Sequence, residues 1–270
     1  MQTLFTAARV ILSVGFLLYA SWSDYKTREV SNRVWALYAP TALFLSLADF
    51  LIYDPSRLPS YGISFGVTAV IAIVLFYSGA FGGADSKALM CIALALPFST
   101  EPLFSPLMPG GVSPLSQNLF PMTIFSNAIL FAAATGVYML LYNIVWHRKT
   151  GKKAFEGTLA AESVGKKIAA LITGHKVSVT KLKKTWHIYP MEDVEGENGE
   201  NLKRKLIVVP KDEGRDEIVA RLSKAVDSGK IDDNVWATPG LPMLIFVTVG
   251  LIVALLFGDV IWLLVSSALR

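Results

Sequence analysis

The stretch Phe81-Gly82-Gly83-Ala84-Asp85-Ser86-Lys87-Ala88-Leu89-Met90-Cys91-Ile92-Ala93-Leu94-Ala95-Leu96-Pro97 joins a polar, glycine-bearing turn to an apolar run that stops at a proline. The run, 88–97, is about half as long as the 20 or so apolar residues that a membrane-crossing helix needs. Five runs around it do reach that length: 4–22, 34–53, 63–80, 122–146 and 241–264. Their order makes 88–97 the fourth of six. Such a short span starts in a watery recess or continues imperfectly past Pro97, and local water suits hydrolysis. The expected fold is an α-helical polytopic membrane protein of six transmembrane helices, with a small α+β soluble domain inserted before the last helix.

Charge divides the chain. Of 270 residues, 53% are hydrophobic and 17% charged, against about 45–50% and about 25% in soluble domains. Between His147 and Trp236 lie 18 of the 25 Lys and Arg and 14 of the 21 Asp and Glu. The expected division is therefore 1–146 as a membrane domain with five helices, 147–237 as a cytoplasmic α+β domain, and 238–270 as the sixth span. Within the charged part, 159–172 has helical periodicity and stops at Gly174. Alternation at Val177 and Val179, then at Trp186 and Ile188, reads as strands, with 206–209 as a third. The segment 192–201 reads as an acidic loop, and Ile218, Val219, Leu222 and Val226 as a helix before Gly229.

Arg9 ahead of an apolar core ending near Ala20 has the outline of a signal peptide, but Leu18 is a poor residue before a cleavage point and further spans follow at once. Lys and Arg in short loops set orientation. The first loop carries Lys26, Arg28 and Arg33, the third Lys87, and the charged segment is the fifth; the second has only Arg57 and the fourth none. Odd loops then face the cytoplasm and both termini face outside. The net charge of +4 mixes both signs and bears on orientation rather than on nucleic acid, which is not an expected partner. With Cys91 as the one cysteine, neither a disulfide nor a Cys-x-x-Cys metal site forms within the chain.

Seven acids lie outside the charged segment. Glu29, Asp49, Asp54 and Glu101 fall near span ends or in loops, and Asp259 falls inside the last span. Asp24 and Asp85 each sit where an apolar helix meets a cytoplasmic loop, so spans one and four bring them to the same depth on the same side. Two close carboxylates share a proton. The ionised one draws a proton from water, and the protonated one hydrogen-bonds the carbonyl under attack. Glycines before Asp85 leave room for a substrate backbone. An acid at a helix start is also an ordinary cap, and acids at membrane depth also mark cation pathways, so a transporter using Asp24 and Asp85 as a cation site is the alternative from another class.

Other candidates are weaker. His147, His175 and His187 lie in different elements at no metal-ligand spacing. Gly110-Gly111 fits no phosphate loop. Trp22, Trp35 and Trp146 fall at span ends, where aromatic belts belong. Lys152, Lys153, Lys166 and Lys167 suit anionic headgroups or a solvated face.

The pair Ser23-Asp24 and Gly82-Gly83-Ala84-Asp85-Ser86-Lys87 in a six-span chain resembles the GxGD aspartyl proteases, and among them the archaeal preflagellin peptidases, relatives of bacterial type IV prepilin peptidases. The stretch Asp24-Tyr25-Lys26-Thr27-Arg28-Glu29-Val30-Ser31-Asn32 resembles the loop after the first catalytic Asp in that family. The similarity covers roughly 4–145 and the overall layout. It implies catalysis by Asp24 and Asp85, substrate contact at Gly82, Gly83 and Ala84, no cofactor or metal, and removal of short basic leader peptides from preflagellin and pilin-like precursors. One departure stands out: the family has Gly directly before the second Asp, and here it is Ala84. A presenilin-like intramembrane protease would carry Tyr before the first Asp, where this chain has Ser23. The paired CxxC motifs of bacterial prepilin peptidases are missing, as is any visible methyl-donor site. The number of residues between Asp24 and Asp85 leaves open whether the two meet without substrate.

Overall fold

The computed structural model describes residues 2–101, 103–151, 153–195, 202–207 and 214–269. The chain divides into two compact units, 1–132 with 242–270, and 133–241.

The first unit is helical. It contains α1 (Gln2–Thr27), α2 (Asn32–Tyr53), α3 (Leu58–Tyr77), α4 (Gly83–Ala95), the short α5 (Pro114–Asn118), the first part of α6 (Phe120–Thr150), α10 (Met243–Leu256) and α11 (Val260–Ala268). Among the described residues, α1, α2, α6 and the stretch 55–77 are long and apolar enough to cross a membrane, and α10 with α11 adds a fifth span if that bent pair counts as one. In a six-span count the remaining element is α4, whose 13 residues reach only about 20 Å against a hydrocarbon core of about 30 Å.

Helix α4 sits among α1, α2, α3 and α10. Its residues Ala88, Leu89, Cys91, Ile92, Ala93 and Ala95 are buried. Small residues at these contacts, with Ala20 and Ala42 opposite, let helix backbones approach closely. At Gly250 a Cβ would meet the Ile124 carbonyl oxygen at 2.4 Å, so α10 and α6 touch backbone to backbone.

The last span is not the continuous 241–264 helix expected. It bends by 62° between α10 and α11. Gly258 takes φ +81°, which ends α10, and Asp259 caps α11 by accepting from Trp262 N–H at 3.0 Å. Asp259 also accepts from Ser113 Oγ at 2.6 Å and is buried, so this acid is a structural hinge. Trp35 is 5% exposed, placed in the helical core rather than in an aromatic belt.

The second unit holds the end of α6, a 3-10 turn at Gly157–Ala161, α7 (Val164–Thr173), β1 (His175–Ser178), α8 (Val179–Lys184), β2 (Ile188–Pro190), β3 (Glu192–Glu195), β4 (Lys203–Leu206), α9 (Arg215–Asp227) and β5 (Asn234–Pro239). β5 lies between β1 and β2, antiparallel to both, with Val177 opposite Val235 and Pro190 opposite Ala237. β3 and β4 form a separate antiparallel pair. Val177, Leu182, Ile188, Val219, Leu222 and Val235 fill the core.

Local capping explains the differences from the expected elements. Ser163 accepts from Lys166 N–H and starts a new helix, which splits 159–172. Ser178 accepts from Lys181 N–H at 3.2 Å, so Val179 opens α8 instead of extending a strand. Trp186 lies outside any strand and is exposed. The start of the expected acidic loop is β3, and β5 was not anticipated. The rest of that loop, 196–201, lies outside the described residues, as do Val208, Val209 and Lys152.

Candidate active site

Asp24 lies near the C-terminal end of α1 and is half-buried. A polar contact one turn earlier fixes its register. Ser21 Oγ lies 2.7 Å from Thr248 Oγ1 and donates to the Leu244 carbonyl at 2.9 Å. Thr248 Oγ1 lies within hydrogen-bond distance, 3.2 Å, of the Leu17 carbonyl. These buried hydroxyls fasten α1 to α10. The start of α10 has no side-chain cap of its own, since Pro242 occupies the N-cap. Asp24 lies near the Leu244 N–H in the first turn of α10. A carboxylate at a helix N-terminus is favoured by the unpaired N–H groups and the helix dipole.

The turn after Asp24 folds back on the helix. Ser23 Oγ donates to the Glu29 carbonyl at 2.7 Å, and Thr27 Oγ1 donates to the Ser23 carbonyl at 2.9 Å. Arg28 holds φ +57°, the one non-glycine residue described with positive φ. Such a conformation costs about 1–2 kcal/mol and brings the guanidinium charge to bear on Asp24. Asp24 and Arg28 form no direct ion pair among the described residues.

Asp85 is the third residue of α4, and its Oδ2 accepts the Gly82 N–H at 3.0 Å. Ser86 Oγ donates to the Ala72 carbonyl at 3.1 Å and anchors α4 to α3. Lys87 Nζ donates to Asn32 Oδ1 at 2.7 Å, tying the start of α4 to the start of α2. A Cβ at Gly82 would come 3.1 Å from Asp85 Oδ2, so Gly82 leaves room for the carboxyl group. Gly82 has φ −72°, and Ala84 lies inside α4. Neither position needs the left-handed region, so alanine is unstrained where the family has glycine.

α1 packs on α4, and Asp24 and Asp85 lie close enough for their charges to act on each other. Each lies beside the backbone N–H groups at the start of a helix, Asp24 near Leu244 of α10 and Asp85 on Gly82 of α4. Gly82, Gly83 and Ala84 sit beside Asp85 in the turn and first residues of α4. Sequence reasoning missed Ser21 and Thr248, which fasten the end of α1 that carries Asp24 to α10. The signal available was Pro242 ahead of an apolar run, which marks a helix start. Among the described residues no three His, Cys, Asp or Glu side chains gather as a metal-binding group.

The model of the type IV leader peptidase family matches residues 11–137, and that of the archaeal peptidase A24 C-terminus, type II, matches 166–260. Together they cover most of the chain, which belongs to this peptidase family. The chain is 26% identical over 246 residues to a preflagellin peptidase of Methanococcus voltae, covering 90% of this chain and 92% of that one. It is 24% identical over 247 residues to a preflagellin peptidase of Methanococcus maripaludis strain C6, again covering 90% and 92%. The family and the apolar helices make this a membrane peptidase.

Proposed function

We propose that this chain is an aspartic endopeptidase of the GxGD type that removes short basic leader peptides from preflagellin and pilin-like precursors at the cytoplasmic face of the membrane. The observation that carries the reading is that Asp24 and Asp85 sit at the ends of two packed helices, α1 and α4, with Asp85 on the Gly82 N–H and within electrostatic reach of Asp24. One carboxylate takes a proton from water, whose oxygen attacks the scissile carbonyl carbon. The other donates its proton to the carbonyl oxygen. The tetrahedral species then collapses: the C–N bond breaks, the amine leaves with a proton from the first acid, and the second recovers its own. Gly82, Gly83 and Ala84 border the substrate backbone. The preflagellin peptidase relatives support the substrate class, and nothing in the family favours the transporter reading.

In this reading six elements occupy the membrane, with α4 the short one, and the domain 147–237 and the active site face the cytoplasm. A leader with a basic start ahead of an apolar helix presents its junction at that depth. Membranes containing the full chain, incubated with a leader-bearing preflagellin, are expected to give a shortened product with a new N-terminus at the leader junction. No size shift would overturn the substrate assignment. Single cysteines replacing the exposed Ser56 and Lys230, with Cys91→Ala, test orientation: an impermeant maleimide labels Ser56→Cys in intact cells and Lys230→Cys only after lysis. The reverse pattern would place the pair on the wrong side for leader cleavage.

A further inference from the structure

In α7 the apolar side points outward. Val164, Ile168 and Ile172 repeat every four residues along one face and are 70%, 52% and 37% exposed, and Gly165 beside them is exposed too. The inward contact is made by Ala170, packed with Leu159, Met191, Leu206 and Trp236. Both lysines are held by neighbours N-terminal to the helix. Lys166 Nζ donates to Glu162 at 2.9 Å, and Lys167 Nζ donates to the Ala160 carbonyl at 2.6 Å. A helix washed by water shows the reverse arrangement, with charges out and apolar residues in.

The last turn of α7 is fastened to α6. Asn143, buried on α6, donates from Nδ2 to the Leu171 carbonyl at 2.8 Å and the Gly174 carbonyl at 2.7 Å. A Cβ at Gly136 would lie 3.4 Å from the Ile172 carbonyl oxygen, so α7's backbone runs against α6 here. Gly136 lies ten residues before Trp146, about 15 Å along the helix axis. Between them Val137, Tyr138, Leu141, Tyr142, Ile144 and Val145 are exposed, on a helix with the length and composition of a span. The end of α7 is therefore level with apolar span surface.

We propose that α7 is an interfacial helix whose Val164, Ile168 and Ile172 face lies in lipid at the membrane boundary. Whatever covers this face also surrounds the adjoining stretch of α6, and around a span that medium is lipid. The inference rests on α6 crossing the membrane and is independent of the catalytic assignment.

The test uses full-length protein with Cys91→Ala and a spin label on Ile168→Cys, reconstituted in phosphatidylcholine–phosphatidylglycerol vesicles. Relaxation by lipid-soluble oxygen is compared with relaxation by a water-soluble nickel chelate, with a label at Thr180→Cys, exposed on α8, as the aqueous reference. The Ile168 label is expected to be relaxed strongly by oxygen and several-fold less by nickel than the Thr180 label. Nickel access equal to that of Thr180 would put the face in water and overturn the proposal. Protection from both reagents would show a protein contact and overturn it equally. If the Ile168 label displaces the buried Trp236 emission, the same comparison at Val164→Cys decides.

Discussion

Both units match buried acids to cations, but among the described residues the helical unit also leaves acids without one. In 133–241 the buried ones are matched to cations. Glu192, fully buried, lies 2.9 Å from Lys176, pairs with Arg204, and accepts the Trp236 N–H at 2.7 Å. Asp193 pairs with Arg221 at 2.8 Å. In the helical unit Asp49, 2% exposed, is matched to Arg9 at 2.6 Å, and Asp54 to Arg57 at 3.2 Å. Asp24 and Asp85 have no ion-pair partner among the described residues, yet they lie near each other. A matched buried acid holds shape. In the proposed function, the two acids left unmatched at the ends of α1 and α4 are the ones that do chemistry.

The contrast predicts which changes cost stability and which cost activity. Glu192→Ala leaves Lys176 and Arg204 without their shared carboxylate, at a cost of about 3–5 kcal/mol. Thermal unfolding followed by tryptophan emission measures it, and leader cleavage by the folded fraction is expected to persist. A Glu192→Ala protein of unchanged stability and lost cleavage would break the contrast. Asp49→Ala strands the buried Arg9 and costs about 3 kcal/mol, while the double change Arg9→Met with Asp49→Leu recovers most of that melting temperature.

Ala84→Gly restores the family's glycine inside a helix. It is expected to lower stability by about 1 kcal/mol and leave cleavage unchanged, because Ala84 needs no special backbone conformation. A large gain in cleavage would show that Ala84 limits the site. The smallest effect is at His175. Burial, aided by the Lys181 charge, holds its imidazole below the ordinary value of about 6.5. The stability it contributes is complete above that ordinary value and declines as pH falls from about 6.5 toward the depressed one. His175→Phe should flatten this part of the melting-temperature profile.

The sequence made the long apolar helices, the short fourth one and the charged segment legible, because run length and charge density are local properties. Asp24 and Asp85 stand out in the sequence for the same reason: each sits where an apolar run meets a polar turn. What escaped were features set by caps and close approach. Ser163 and Ser178 start helices that periodicity alone ran together or read as strand. Gly258 and Asp259 are a stop and a start in succession, set within a run that is apolar on both sides. Arg9, in the sequence a lone charge ahead of an apolar core, is paired with Asp49, an acid forty positions away. The Ser21–Thr248 contact joins residues from the two ends of the chain, and no local pattern announces such a pair.

The central claim is that Asp24 and Asp85 work as one unit. Its most direct test is cleavage of a leader-bearing preflagellin by purified full-length wild type, Asp24→Asn, Asp85→Asn and the double variant, with melting temperatures taken on the same samples. Each single change is expected to slow cleavage by about 10²–10⁴-fold at near-unchanged melting temperature, with the double variant little worse than either. Cleavage near the wild-type rate in either single variant would contradict the account.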